Sequence, residues 1–236
     1  MKKRLRPLPV RVRLALSLLL LVLSFFLVWF CTGWAWPTRE LAYRALETAY
    51  GFGPGEIVAQ GEVTFEEGYS NRYTNRPSAW MVGRSGDSFA VAVLEQTPGP
   101  LWRACDIYGF QVLTSTEETL LVAAELAKAD CFFRLPDGQW DDEAEYLWAV
   151  CALDPAIVRV ELTMNYTYRL AVGDGYSNGM ESDLVTAQVQ SVGPGVWLAR
   201  VRSPDPLEGR SGGYSVNYSL RGYGAAGHLV YDSGPQ

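Results

Sequence analysis

The stretch AIVRVELTM, residues 156–164, sets Val158, Val160, Leu162 and Met164 in alternation with Arg159, Glu161 and Thr163. Successive side chains of a strand point to opposite faces, so such a run buries one face and wets the other. Tyr214, Val216, Tyr218 and Leu220 repeat the device in YSVNYSLRGY. Around these two runs lie EYLWAVCAL, YTYRLAV, LVTAQVQSV, VWLARVRS and HLVYD, separated by the turn signals DP, GDGYSNG, GPG and GAAG. Seven short strands over residues 141–236 predict an immunoglobulin-like β-sandwich. The paired cysteines of antibody domains are missing, because no Cys follows Cys151.

Upstream, residues 37–140 read as a second β-rich region. EIVAQGEVTF, SAWMVG, DSFAVAVLEQ, LWRACDI and GFQVLTS are strand-like, and RSGD at 84–87 suits a hairpin turn. Two helices are expected here. PTRELAYRALETAYG predicts one over 38–50, with Thr38 as N-cap, Leu41, Ala45, Leu46 and Ala49 on one face, and Gly51 as the stop. STEETLLVAAELAKAD, with Ser115 and Glu118 at capping-box spacing and strong helix formers beyond, predicts another over 116–129.

The N-terminus is of a different kind. Residues 14–36, LALSLLLLVLSFFLVWFCTGWAW, carry no charge, while residues 1–13 hold six Lys or Arg and no acid. Eight Leu, three Phe and two Val between Leu14 and Phe30 favour membrane insertion by about 4–8 kcal/mol on a per-residue insertion scale. A helix of this length crosses a hydrocarbon core of roughly 30 Å. Trp29, Trp34 and Trp36 would lie at one interface, and the basic tail places the N-terminus in the cytoplasm and the remainder outside. Residues 14–36 are therefore expected to be a single-pass signal-anchor. The competing reading is a cleaved signal peptide, since Gly33 and Ala35 occupy the small-residue positions of a cleavage site. Bulky Val28, Trp29 and Phe30 before Cys31 do not suit lipid attachment at that cysteine.

The whole chain has a formal charge of -6, but beyond residue 13 it holds 14 basic and 26 acidic residues. An acidic outer part lacks the basic face that nucleic acid binding requires. Cys105, Cys131 and Cys151 have no C-x-x-C spacing, which leaves a disulfide such as Cys131–Cys151 or buried free thiols as alternatives. GRSGG, residues 209–213, matches G-x-S-x-G around Ser211, yet a loop precedes it and a β-like run follows, whereas a nucleophile elbow needs strand, turn and helix. His228 is the single histidine, so a His-rich zinc or iron site is excluded.

Oxygen ligands remain in two acidic stretches. Asp174, Asn178, Glu181 and Asp183 form one, and Asp137, Asp141, Asp142, Glu143 and Glu145 form the other; neither has EF-hand spacing. The second stands near Trp140, Tyr146 and Trp148, a composition that also suits a carboxylate-based glycan hydrolase. Asn165-Tyr166-Thr167 and Asn217-Tyr218-Ser219 match the N-glycosylation pattern. No catalytic, cofactor-binding or metal residue is assigned, and no cofactor is expected. The reading that asks least of the sequence is a non-enzymatic binding or scaffolding module, held to the membrane by its N-terminal helix and facing a protein or glycan partner. The alternative is an exported hydrolase acting on envelope glycans.

Overall fold

A computed structural model describes residues 9–31, 34–71, 76–97, 99–114, 120–134, 140–172, 175–176, 181–203 and 210–234. The helices are α1 (Val10–Cys31) and α2 (Arg39–Ala49). Six strands come next: β1 (Glu56–Glu62), β2 (Ser70–Asn71), β3 (Ser78–Ser85), β4 (Ser88–Gln96), β5 (Trp102–Ala104) and β6 (Phe110–Thr114). The long strands β7 (Leu121–Arg134), β8 (Trp140–Ala152) and β9 (Arg159–Val172) follow. The chain ends with β10 (Gly175–Tyr176), β11 (Glu181–Thr186), β12 (Gln188–Gly193), β13 (Val196–Arg202), β14 (Arg210–Tyr223) and β15 (Leu229–Asp232).

The protein is mainly β, built from three antiparallel sheets. The first runs β1-β3-β4-β5 with β6 also on β4, the second β12-β13-β8-β7-β2, and the third β10-β9-β14-β15 with β11 also on β9. Packing stacks them as layers, with α2 outermost, then the first, second and third sheets. Phe89, Val91 and Val93 of β4 meet Leu126, Leu147, Ala149 and Cys151 of the second sheet. The alternate residues Ala90, Ala92 and Leu94 turn to Ala42 and Tyr43 of α2. On the far side of the second sheet, Tyr146, Trp148 and Val150 meet Val160, Leu162, Met164 and Leu220 of the third. Strands covered on both faces read as continuous apolar runs, which is why SFAVAVL and EYLWAVC lack clean alternation. β9, covered on one face only, keeps it.

The second sheet draws β2 and β7 from before residue 140 and β8, β12 and β13 from after it. Three expected strand runs are also redistributed. AIVRVELTM and YTYRLAV form the single strand β9, while LVTAQVQSV divides at Ala187 into β11 in the third sheet and β12 in the second. The edges of the first two sheets come together at Gly193, where a Cβ would clash with the Val58 carbonyl oxygen.

The helix expected over 116–129 is not formed. Residues 115–119 lie outside the described residues, and Leu121–Arg134 is strand, paired along its length with β8 and bulged between Glu125 and Ala127. Helix propensity is a weak prior that tertiary pairing overrides. Here the small side chains of Ala124 and Ala127 are 2% and 1% exposed, so the sheet packs closely over them.

The helix expected over 38–50 forms as α2, with the Thr38 hydroxyl accepting from the Leu41 N–H at 3.2 Å and Gly51 at φ +68° after its end. Its buried stripe differs from the expected one: Ala42, Tyr43 and Glu47 are buried, while Leu41 is 45% exposed. Glu47 is accommodated because Arg44 Nη1 approaches at 2.6 Å and the Gly55 N–H at 3.1 Å, partners that a buried charge requires.

The apolar N-terminal helix spans Val10–Cys31 rather than 14–36, so it takes in Arg11 and Arg13 and excludes Trp34 and Trp36. Its apolar residues are exposed along its length. Beyond its end the Trp34 N–H donates to the Trp29 carbonyl at 3.0 Å, and Trp34 adopts φ +61°. The Trp29 and Trp34 rings stack edge to face at 4.6 Å. Trp36 then joins the edge of the first sheet, its N–H donating to the Trp102 carbonyl at 2.6 Å and its carbonyl accepting from the Trp102 N–H at 2.7 Å.

Candidate functional site

The outer face of the third sheet gathers a set of uncharged polar side chains. In β9, Val160, Leu162, Met164 and Tyr166 turn inward and are 5% exposed or less, so Thr163, Asn165 and Thr167 turn outward by the two-residue period of a strand. Residues directly opposite in an antiparallel pair share a face. Register places Thr186, Leu184 and Ser182 of β11 beside Thr163, Asn165 and Thr167. On the other flank, Ser219 and Asn217 of β14 stand beside Thr163 and Asn165.

The result is a field of hydroxyl and amide groups three strands wide, with neighbouring strands about 4.8 Å apart and successive outward residues about 6.8 Å apart along each strand. Each Ser or Thr hydroxyl donates one hydrogen bond and accepts two, and each Asn amide both donates and accepts. Leu184, 71% exposed, supplies an apolar contact at the edge of the field. Asn165 Oδ1, at the centre, is buried and has no hydrogen-bond partner among the described residues.

Charged residues lie at both ends of this sheet: Glu181 and Asp183 on β11 at one end, and at the other, toward the β14–β15 turn, a group that is internally paired. Arg221 Nε reaches Asp232 at 3.0 Å and Tyr223 Oη donates to Glu161 at 3.3 Å. Arg159 lies 4.0 Å over the Tyr223 ring. The Gly234 N–H and Arg221 hold the Asp232 carboxyl below its ordinary range.

Among the described side chains of residues 137–148, the acidic and the aromatic ones take opposite faces of β8. Asp137 lies outside the described residues, and Asp141 and Asp142 are on β8 opposite Phe133 and Phe132. Glu145 points toward the first sheet, while Tyr146 and Trp148 point into the core against the third, as the strand period dictates. Glu145 is fully buried and bonded to Arg200, whose Nη2 also donates to the Thr64 carbonyl at 2.9 Å. Burial pushes the Glu145 carboxyl up, against the pull of Arg200. Nearby, desolvation first and the Glu143 carboxylate next to it hold the Tyr69 hydroxyl up, and Arg202 pairs with Glu66. This constellation serves to neutralise charge at the covered end of the second sheet.

The other sequence candidates are dispersed as well. Asp174 and Asn178 lie outside the described residues, and Glu181 and Asp183 sit on β11 opposite Tyr168 and Tyr166. Ser211 is within β14 opposite Arg169, so no strand–turn–helix elbow forms there. His228 is in the exposed turn beyond the opposite end of β14, about 40 Å away at the rise of a strand. No group of three or more possible metal ligands occurs among the described residues.

All four cysteines are free. Cys151 pairs across to Val122, nine residues along β7 from Cys131, a separation of about 30 Å that no disulfide bridges. Cys105 and Cys151 are packed in the core between the first and second sheets, and burial pushes the Cys151 thiol up to about 12. The buried free thiol is thus the reading the structure supports.

Sequence reasoning missed the polar face. Its signal was present in the wet phase of the alternation, at Thr163, Asn165 and Thr167 and again at Asn217 and Ser219. Compared with models of known protein families, with curated proteins and with solved structures, the chain matches none.

Proposed function

We propose that the chain is a single-pass membrane-anchored protein, with its N-terminus in the cytoplasm and its β layers outside, acting as a non-enzymatic binding or scaffolding module. The observation that carries the binding role is the field of hydroxyl and amide groups on the third sheet, in which the exposed Ser182, Thr186 and Asn217 flank Thr163, Asn165 and Thr167. An uncharged surface rich in groups that both donate and accept suits a polyhydroxylated glycan, whose own hydroxyls need partners of both kinds.

The anchored reading rests on α1, whose apolar side chains are exposed throughout and are preceded by a basic segment. Retention of the anchor is favoured over cleavage by the folded state of the junction. Ala35, after which a signal peptidase would cut, is 3% exposed, and Trp36 is hydrogen-bonded to Trp102 in both directions.

Binding is tested by sedimenting the detergent-solubilised full chain with insoluble envelope glycan and repeating this with Asn165→Leu/Asn217→Leu. Loss of co-sedimentation in the double variant at unchanged melting temperature is expected. Equal sedimentation of both proteins, or none by the native chain, would overturn the assignment. Placement is tested by adding protease outside intact spheroplasts, which is expected to degrade the β layers while α1 stays in the membrane pellet. Recovery of a soluble chain beginning at Trp36 would refute the anchor.

A further inference from the structure

The end of α1 and the outer side of α2 form one apolar strip. A groove of about 300 Å³ between them is lined by Trp29, Trp34, Trp36, Ala45, Leu46 and Ala49. A second groove at Trp36, of about 450 Å³, adds Leu41, Thr48 and the stem of Arg44. Leu41, Trp34 and Tyr50 are 45%, 56% and 62% exposed. Of the stripe that the sequence marked on α2, Leu41, Ala45 and Ala49 line these grooves, while Leu46 also packs against the core of the first sheet. The packed face also holds Ala42 and Tyr43.

Position decides what covers this strip. The 22 residues of α1 extend about 33 Å, close to the roughly 30 Å of a hydrocarbon core, so its Cys31 end reaches one boundary of the bilayer. Trp36 lies five residues further and is fixed to the sheet edge by its two hydrogen bonds to Trp102. Five residues reach at most about 18 Å, so the strip is held beside that boundary. Trp29 lines the groove while belonging to α1, which makes the apolar surface of the span continuous with it.

The nearby arginines do not act as free cations. Arg39 bonds Glu62 at 2.9 Å, Arg44 bonds Glu47 at 2.6 Å and Arg103 bonds Glu95 at 2.5 Å. Beyond residue 13 the chain is acidic, so attraction to an anionic membrane surface does not account for contact.

We propose that α2 lies along the outer boundary of the bilayer, with phospholipid acyl chains filling the two grooves that Trp36 lines. This rests on α1 spanning the membrane. Apolar helix faces with interfacial tryptophans bind at the headgroup and acyl boundary in this way.

The test uses the full chain with Cys31→Ser and Cys131→Ser, reconstituted in vesicles of phosphatidylcholine and phosphatidylglycerol. An environment-sensitive fluorophore is placed in turn at Leu41→Cys, Ala49→Cys, Leu20→Cys within α1, and Ala225→Cys in the β14–β15 turn. Lipid carrying a nitroxide near the headgroup is expected to quench positions 41 and 49, lipid carrying it deep in the chain to quench position 20, and aqueous iodide to quench position 225 several-fold more than 41 or 49. Quenching at 20 with free iodide access at 41 and 49 would overturn the docking and leave the span intact. Shielding of 41 and 49 from iodide without quenching by either lipid would overturn it too, by showing a protein occupant. Absence of lipid quenching at position 20 would remove the span and the docking together.

Discussion

α1 and β8 are both apolar, and they meet opposite surroundings. From Val10 to Cys31 the apolar side chains of α1 face outward, with Leu21 68% and Phe30 67% exposed. In β8, Ala144 through Ala152 are at most 8% exposed, turned alternately into two cores. A helix pairs its own backbone polar groups and so tolerates hydrocarbon on all sides, whereas a strand leaves them to its neighbours. β8 finds those neighbours in β7 and β13. Apolar content therefore does not say which solvent a segment seeks; the closure of its backbone hydrogen bonds does.

The sharpest way to break this comparison is to place one charge in each segment. Val150→Asp puts a carboxylate where exposure is 0%, and is expected to cost more than about 4 kcal/mol and abolish cooperative melting of the β layers by circular dichroism in detergent. Leu20→Asp is expected to leave that melting unchanged while opposing membrane insertion by about 3 kcal/mol, read as a shift from membrane pellet to supernatant. Equal loss of melting in both would show that α1 is part of the β core.

A smaller effect probes how β8 carries its own charge. Arg200→Ala leaves Glu145 buried without its partner and is expected to lower stability by about 2 kcal/mol in urea titration, less than a fully enclosed pair because Arg200 keeps 25% exposure. Adding Glu145→Leu is expected to recover part of that loss. No recovery would show that the cost comes from lost Arg200 packing alone.

The smallest effect belongs to Glu125 at the β7 bulge. Burial raises its carboxyl above the ordinary 4.5, although Tyr108 donates to it at 3.1 Å. The folded state then binds the proton more tightly than the unfolded chain, so this group makes stability rise as pH falls from the raised value toward 4.5 and level off below. Glu125→Gln is expected to be slightly more stable at pH 7 and to lack that rise. The difference between the two urea midpoints across pH isolates it from Glu145, which shifts in the same direction, and from Asp232, which shifts oppositely. A difference independent of pH would refute the assignment.

Much of the architecture was legible where one-residue patterns suffice. α1 announces itself by an uncharged run, and β9 by alternation. β7 was not legible, because AAELAKAD carries helix formers and its strand state depends on β8 lying alongside. The division of LVTAQVQSV at Ala187 was equally hidden, since leaving one sheet for another is decided by which neighbour supplies the hydrogen bonds; the Ala187 N–H donates to the Leu162 carbonyl at 2.8 Å. The polar face shows the same limit. Thr163 and Asn165 were readable as wet positions, but their company of Leu184, Thr186, Asn217 and Ser219 is set by register between distant strands. Carboxylates and aromatics adjacent in EAEYLW, by contrast, looked like a site in one dimension and part company once the strand period is applied.

The return of β14 to β9, after the chain has passed through β12 and β13 of the neighbouring sheet, has a consequence for biogenesis. Until residues 210–223 have left the ribosome, β9 lacks its hydrogen-bonded neighbour, and Trp148 of the second sheet lacks the cover that Tyr218 and Leu220 bring. A nascent chain stalled before that point would display an open hydrophobic slab and need chaperone shelter, and closure of the outermost layer would be an end-of-translation event.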